Sequence, residues 1–231
     1  MNCRLCNGII SPIGKCVIMN KYEVGYFCCS DCGSVMTEPP YWLKEVYDGF
    51  VDDINVGSRA ASNTRVISAF CKENIKNKPR VLDYGCGAGL LVKNLLASDI
   101  DAFGYDKYRK DDPKLSNEKW DVVSAFEVFE HFERPLEEFL SLSSSSDAII
   151  ISTELVPPGP PQPPQGWHYY ACWCGQHIFF YTLRAFGIMA NRAGFPYLYS
   201  TGLNYHIFSR TDIKTGDITR AVPSLSFQRV S

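Results

Sequence analysis

A glycine-rich turn carries the residues with the clearest chemical meaning in this chain. It lies in the segment 80–91, RVLDYGCGAGLL, after a short apolar run that ends in Asp83, and an apolar helical pattern follows it. Its candidate cofactor-binding residues are Gly85, Cys86, Gly87 and Gly89. Glycines let the backbone turn sharply and approach a ligand closely. The order of strand, acid, glycine turn and helix predicts a nucleotide-like cofactor at the carboxyl end of a strand.

Asp83 separates two classes of cofactor that use such a turn. A dinucleotide brings a pyrophosphate, which backbone N–H groups bind and which a nearby carboxylate repels by roughly 1–4 kcal/mol. S-adenosylmethionine brings a sulfonium and an ammonium group, which a carboxylate attracts. The dinucleotide fingerprint also spaces its glycines as GxGxxG, whereas Leu90 stands here at the third glycine position. Both differences favour S-adenosylmethionine over NAD.

A second carboxylate, Asp106, follows the next predicted strand, 102–105, and precedes Lys107. A carboxylate at such a strand tip can accept hydrogen bonds from both hydroxyls of a ribose. Taken singly, Asp83 can also be a helix cap and Asp106 a turn residue. Their joint placement around one glycine turn favours a common ligand.

These segments resemble the first and second motifs of class I S-adenosylmethionine-dependent methyltransferases. Residues 121–139, DVVSAFEVFEHFERPLEEF, resemble the fourth-strand motif of that family. The family places the residue at this strand tip near the methionine end of the cofactor, which implies cofactor contacts for Phe126 and Glu127. The resemblance covers residues 78–210, and it implies an α/β fold with a Rossmann-like doubly wound sheet and an antiparallel final strand.

The composition bounds the fold and excludes some partners. The chain has 231 residues, 45% of them hydrophobic and 21% charged, and its net charge is −2. These values are typical of one α/β domain with a small accessory module. Nucleic-acid binding usually requires a basic excess, so we expect no such partner. No apolar run reaches the ~20 residues of a membrane span, and no signal-peptide pattern is present. We expect a cytoplasmic protein without a membrane partner.

Four cysteines near the N-terminus have the spacing of a zinc site. Cys3 and Cys6 form one CxxC pair, and Cys29 and Cys32 form a second. Two such pairs supply four thiolates to a tetrahedral zinc ion, whose role in a closed site is structural. The alternative is a set of free buried cysteines. We expect no disulfides, since they are rare in cytoplasmic proteins.

The segment between the CxxC pairs is β-rich and predicts a hairpin. Cys28 is an alternative ligand to Cys29, but a CxxCG register with Gly33 favours Cys29, and Cys16 is expected to take no part. A zinc ribbon before a class I domain resembles the sugar C-methyltransferase-like group. Those enzymes carry much of their catalytic apparatus in a further C-terminal domain, whereas this sequence ends soon after its predicted last strand. Sugar C-methylation is therefore not implied.

We predict three parts in the chain. They are a zinc-ribbon-like module at 1–38, a helical lid or linker at 39–77, and a methyltransferase domain at 78–231. Tyr41, Tyr47 and Arg59 are candidate lid residues, with packing against the sheet as the alternative. The short interval between Asp106 and Trp120 predicts an abbreviated crossover with a weak or missing third strand. Further predicted elements are helices at 41–50, 63–76, 135–142 and 182–193, a serine loop at 143–146, and strands at 148–152, 197–200 and 205–209.

An aromatic segment, 166–182, follows the proline-rich stretch 157–166. Clustered aromatic residues over a cofactor indicate a flat or sugar-like substrate, or a packed cap. The segment resembles the W-Y-Y…G-Q-H-I-x-F-Y pattern of zinc-ribbon methyltransferase homologues, where the histidine lies near the substrate. His177 and His168 are the candidate catalytic bases, because histidine exchanges a proton near neutral pH. His131 is a third candidate.

Two further cysteines, Cys172 and Cys174, could bind a second metal ion together with His168 or His177. The leading functional hypothesis is a S-adenosylmethionine-dependent methyltransferase that methylates an oxygen or carbon of a small-molecule or glycan-type acceptor. The alternatives are an NAD-type Rossmann oxidoreductase and a non-catalytic methyltransferase-fold protein whose ribbon binds a partner.

Overall fold

The computed structural model describes residues 1–48, 56–108 and 118–230, which form two β-sheets and six helices. The larger sheet contains β4 (Arg80–Tyr84), β5 (Asp101–Tyr105), β6 (Trp120–Phe126), β7 (Ser146–Ser152), β9 (Tyr197–Ser200), β10 (Tyr205–Ser209) and β11 (Gln228–Arg229). Its strand order is β11-β9-β10-β7-β6-β4-β5. The strands β4 to β7 are parallel, and β10 pairs antiparallel with both β7 and β9. The predicted fold class, with its antiparallel final strands, is confirmed.

The central strands are apolar on both faces because helices cover both sides of the sheet. One layer contains α2 (Val56–Asn74), α3 (Leu90–Ala97) and α6 (Gly216–Ala221). The other contains α4 (Pro135–Ser144) and α5 (Leu183–Ala193). Neighbouring residues of β4 alternate between the layers, since Val81 packs into the first and Leu82 into the second. This arrangement fixes the carboxyl ends of β4, β5 and β6 along one edge.

Several helices end where their sequences predict. Thr182 caps α5 by accepting a hydrogen bond from the Ala185 amide, and Gly194 ends this helix at a φ of 71°. Such a cap satisfies a backbone amide that the helix itself leaves unpaired. In contrast, α2 begins well before the predicted residue 63.

The smaller sheet has the strand order β1-β2-β3-β8. It comprises the hairpin of β1 (Ile10–Ile18) and β2 (Tyr22–Cys29), then β3 (Val35–Thr37), and finally β8 (Phe179–Phe180). The hairpin agrees with its prediction, but β8 comes from the aromatic segment far along the chain. A short helix, α1 (Leu43–Asp48), follows the first three strands and packs against this sheet through Leu43 and Val46.

Some details differ from prediction or lie outside the described residues. The serine run 143–146 is the end of α4 and the start of β7, because its hydroxyls satisfy nearby backbone carbonyls. The last strand, β11, had no sequence prediction. The abbreviated crossover and third strand predicted before Trp120 fall largely on residues 109–117, and the end of the predicted 41–50 helix falls on 49–50, both outside the described residues. No helix in the described ranges is long and apolar enough to cross a membrane.

Candidate cofactor and acceptor site

The glycine turn joins β4 to α3 through three left-handed backbone positions. The φ angles of Gly85, Gly87 and Gly89 are 78°, 50° and 75°, a region that disfavours side chains. A Cβ atom at Gly85 would lie 2.5 Å from Cγ2 of Val128. The turn is also held to β5, because the amides of Gly85 and Cys86 donate to the carbonyl of Tyr105 at 2.7 and 3.2 Å. These contacts explain why the sequence requires glycine there.

A cleft of about 1490 Å³ opens above this turn. The predicted cofactor-binding residues that line it are Asp83, Gly85, Cys86, Gly87, Asp106, Lys107, Phe126 and Glu127. Gly89 does not line the cleft, and it serves instead as the N-cap of α3. Of the predicted lid residues, Tyr47 and Arg59 line the cleft, whereas Tyr41 is exposed elsewhere.

Asp83 is a buried carboxyl group at the end of β4. The Ser124 hydroxyl donates to its Oδ1 at 2.8 Å, and Asp83 forms no ion pair within the described part of the chain. Burial raises the pKa of Asp83 to about 7, and the nearby Asp106 also favours its protonated form. A cation that entered the cleft would favour the ionised form instead. This position therefore suits a positively charged ligand group better than a phosphate.

Asp106 shapes the glycine turn as well as lining the cleft. Its Oδ2 accepts a hydrogen bond from the Gly87 amide at 3.0 Å, and its Oδ1 accepts one from the Tyr108 amide at 2.9 Å. Each carboxylate oxygen can accept more than one hydrogen bond, which suits the two hydroxyls of a ribose. The geometry fits the predicted ribose contact.

Glu127 lies at the tip of β6 in a left-handed conformation with a φ of 55°. Its Oε1 accepts a hydrogen bond from the Ser152 hydroxyl at 2.7 Å, and its Oε2 lies 3.1 Å from the Tyr169 hydroxyl oxygen. Burial and the neighbouring Glu130 raise the pKa of Glu127 to about 7. A strained backbone at a strand tip is typical of functional positions, and here it turns the carboxyl group along the cleft.

His177 lies on the aromatic segment and faces the same cleft. Its Nδ1 is 2.7 Å from the backbone oxygen of Tyr169, so Nδ1 must carry the proton. Its Nε2 lies 3.9 Å from Oε1 of Glu130, a carboxyl group with no solvent exposure. Burial lowers the pKa of His177. The neutral ring thus directs an Nε2 lone pair inward, as a base or a metal ligand requires.

The other two candidate histidines occupy different environments. The His168 side chain is 79% exposed, and its Nε2 is 3.0 Å from Glu154 at the rim of the cleft. His131 is packed 5.3 Å from the His177 ring, centroid to centroid, and burial lowers its pKa. Glu130, His131 and His177 each place one donor atom within 4.8 Å of the others. Of the two predicted bases, His177 is the one that this interior cluster includes.

The four N-terminal cysteines converge as predicted. All four Sγ atoms lie within 4.8 Å of one another. Sγ of Cys3 is 3.6 Å from that of Cys32, and Sγ of Cys6 is 3.5 Å from that of Cys29. Tetrahedral zinc with Zn–S bonds of ~2.3 Å separates its ligands by about 3.8 Å. The geometry fits a zinc ion, and it selects Cys29 over Cys28.

Two other cysteine predictions are wrong. We expected no disulfides, but Cys16 and Cys172 form one that joins β1 to the aromatic segment. Cys172 is thus unavailable for the suggested second metal site with Cys174. Cys16 takes no part in the four-cysteine cluster, as predicted. Within the described residues, the clusters that could hold a metal ion are the four N-terminal cysteines and the Glu130, His131 and His177 group.

Sequence reasoning missed Ser124, Tyr169 and the role of Glu130. Ser124 supports Asp83 from the adjacent strand, and the Tyr169 hydroxyl lies within hydrogen-bond distance of both Glu127 and Glu130, at 3.1 and 2.7 Å. The sequence contains one usable signal, since Glu130 and His131 follow Glu127 within a single turn of chain. The contacts of Tyr169 could not be predicted from the sequence, because they join residues that are far apart along the chain.

Comparisons with known proteins identify a family and solved structures to which this chain is similar. A family described as a methyltransferase domain matches residues 56–200. An O-methyltransferase family protein from Burkholderia thailandensis has a TM-score of 0.52 and 12% identity, over 76% of this chain and 64% of that one. Magnesium protoporphyrin IX methyltransferase from Synechocystis PCC 6803 with bound SAH has a TM-score of 0.47 and 19% identity, over 73% and 93%. No curated protein sequence matches.

Proposed function

The chain belongs to the methyltransferase domain family, and we propose that it uses S-adenosylmethionine to methylate a hydroxyl oxygen. The proposed acceptor is a small molecule or a glycan-type compound. The observation that carries the oxygen assignment is the inward lone pair of His177 Nε2, fixed by the hydrogen bond from Nδ1 to Tyr169. A hydroxyl must lose a proton to become a good nucleophile, whereas an amine or a thiolate needs less help.

We assign the donor to the strand-tip half of the cleft. Asp83 would face the cationic groups of the donor, the Asp106 carboxylate would accept from its ribose, and Glu127 would lie near its methionine end. Support comes from the burial of Asp83 without an ion-pair partner in the described ranges, and from the open glycine turn beside it. When bound, S-adenosylmethionine supplies a methyl group activated by a sulfonium.

We assign the acceptor to the half of the cleft near His177. In the metal-free protein, His177 Nε2 accepts the hydroxyl proton as the new O–C bond forms and the C–S bond breaks. The products are a methyl ether and a neutral thioether. Aromatic residues surround His177 at this end, including Tyr169 at a ring distance of 4.7 Å. They suit a flat ring or the apolar face of a sugar.

We also propose that the four N-terminal cysteines hold a structural zinc ion and that residues 1–38 form the ribbon around it. The Sγ distances support this assignment. We propose that a helical segment at 39–77 and a methyltransferase domain at 78–231 follow the ribbon. One feature of this division differs from the sequence prediction. The aromatic segment contributes β8 to the ribbon's sheet, so the two parts share a strand.

The experiment is transfer of labelled methyl groups from S-adenosylmethionine to a panel of phenols and glycosides. Replacement of His177 by Gln keeps a polar side chain but removes the proton acceptor. We expect a loss of about 10²-fold or more in kcat, with donor affinity unchanged. The matched control is His168→Gln, which alters a histidine at the exposed rim of the same cleft. Unchanged turnover in His177→Gln would exclude His177 as the group that handles the acceptor's proton.

A further inference from the structure

Three donor atoms converge at the inner end of the cleft. They belong to Glu130, His131 and His177, and they lie within 4.8 Å of one another. His131 and His177 both line the cleft, whereas the Glu130 carboxyl group lies behind them. The cluster therefore has a closed side formed by protein and an open side that faces the space assigned to the acceptor.

Two side-chain atoms of this cluster have no hydrogen-bond partner within the described structure. Oε2 of Glu130 and Nε2 of His131 are both buried, and both are unpaired. Leaving a buried polar atom unpaired costs about 1–3 kcal/mol, and more for a charged group. A bound ion would satisfy both atoms at once.

The rest of the cluster is oriented as metal ligands usually are. The Nδ1–H of His177 donates to the Tyr169 carbonyl, so its Nε2 lone pair points at the cluster. The Tyr169 hydroxyl donates to Oε1 of Glu130 at 2.7 Å. The same oxygen lies 3.9 Å from Nε2 of His177, and Oε2 has no partner. Ligating histidines and carboxylates are commonly held by such outer hydrogen bonds.

We propose that Glu130, His131 and His177 bind a divalent metal ion, with zinc as the ion tested first. Two histidines and one glutamate are a ligand set of catalytic zinc sites, which keep an open position for water or substrate. The open position here faces the cleft. This ion is separate from the one assigned to the N-terminal cysteines.

The inference rests on the proposed function for its chemical role. An acceptor hydroxyl that coordinates the ion has a lower pKa, as zinc-bound water does. An ion held by Glu130, His131 and His177 would thus supply an ionised acceptor oxygen near neutral pH, with the proton released to solvent through the open side of the cleft. In the metal-bound protein His177 would be a ligand. It would act as a base only in the protein without the ion.

The test is the zinc content of purified protein, measured by mass spectrometry for wild type and for Glu130→Gln, His131→Ala and His177→Gln. We expect each variant to hold one zinc ion fewer per chain than wild type. His168→Gln is the matched control and should keep the wild-type content. Equal zinc content in wild type and in folded ligand variants overturns the proposal, whatever the cysteine site contains.

A second measurement does not depend on the variants. Crystals of the wild-type protein grown with zinc are expected to give an anomalous peak between Glu130, His131 and His177. A peak at the cysteines alone would overturn the inference. Calorimetry with S-adenosylhomocysteine separates the proposed function from the proposed metal site. If the protein binds S-adenosylhomocysteine but holds no second zinc ion, only the metal site is rejected. Failure to bind S-adenosylhomocysteine would reject the proposed function itself.

Discussion

Asp83 is the buried carboxyl group at the end of the cleft that we assign to the methyl donor. Its carboxyl group is buried, its hydrogen bond comes from the neutral Ser124 hydroxyl, and its pKa is raised to about 7 by burial. In the unfolded chain an aspartate has a pKa near ~3.9. Between those two values the folded state binds more protons than the unfolded state. The contribution of this group to stability therefore falls as pH rises through the window from about 4 to 7.

The substitution Asp83→Asn should reduce the loss of stability that accompanies rising pH. We expect the urea midpoint of the variant to fall less than that of wild type between pH 5 and pH 8, because the amide does not ionise. The measurement is urea unfolding at both pH values, with Asp99→Asn, an exposed aspartate, as the control. An equal fall in wild type and Asp83→Asn would contradict the raised pKa.

The same residue should make donor binding depend on pH. A cationic donor prefers the ionised carboxylate, so wild-type affinity for S-adenosylmethionine should increase from pH 6 to pH 8. Asp83→Asn should bind at least about tenfold more weakly at pH 8, equivalent to ~1.4 kcal/mol, and with less dependence on pH. Calorimetry at both values measures this. Equal affinity of the two proteins at pH 8 would argue against a cation at Asp83.

At the scale of elements, the strand tips and the glycine turn were predictable because their signals are local. The order of β4, the turn and α3 follows from apolar periodicity and glycine positions. The β3–β8 pairing was not predictable, since it joins Val35 to Phe180 across most of the chain. For the same reason, sequence could propose His177 as a base but could not find its hydrogen bond to Tyr169 or its contact with Glu130.

Gly85→Ala tests whether the turn is shaped for a ligand. A side chain there meets Val128 at 2.5 Å and adopts a φ of 78°. Gly202 is the matched control, because its φ is 76° but nothing lies within 4 Å of a Cβ at that position. Gly202→Ala should cost about 1–2 kcal/mol of stability through strain alone. Gly85→Ala should cost more and should also lose S-adenosylhomocysteine binding. If both variants lost the same stability and the same affinity for S-adenosylhomocysteine, the turn at Gly85 would not be specifically shaped for a ligand.

At the scale of the whole molecule, the cysteine module and the methyltransferase sheet share one hydrophobic core. Cys3, Cys29 and Cys32 pack in the same cluster as Leu82 and Phe129. The disulfide between Cys16 and Cys172 and the hydrogen bond from the Thr182 hydroxyl to the Cys32 carbonyl add further links. Composition indicated a separate small module, but the fold joins it to the aromatic wall of the cleft.

Loss of the cysteine site should therefore destabilise the whole chain. Cys6→Ser removes one thiolate from the cluster, and we expect the melting temperature to fall by roughly 5–10 °C, since structural zinc contributes several kcal/mol. Thermal melts followed by far-ultraviolet and near-ultraviolet circular dichroism should show one coincident transition. Two separate transitions, with the second unchanged from wild type, would show that the module folds independently.

The most direct test of the account is calorimetric titration of the purified chain with S-adenosylmethionine and, separately, with NAD at the same concentrations. Asp83 at the glycine turn predicts saturable binding of one S-adenosylmethionine per chain and no measurable heat with NAD. Saturable binding of NAD, with no binding of S-adenosylmethionine, would contradict the assignment of the cleft to a cationic methyl donor.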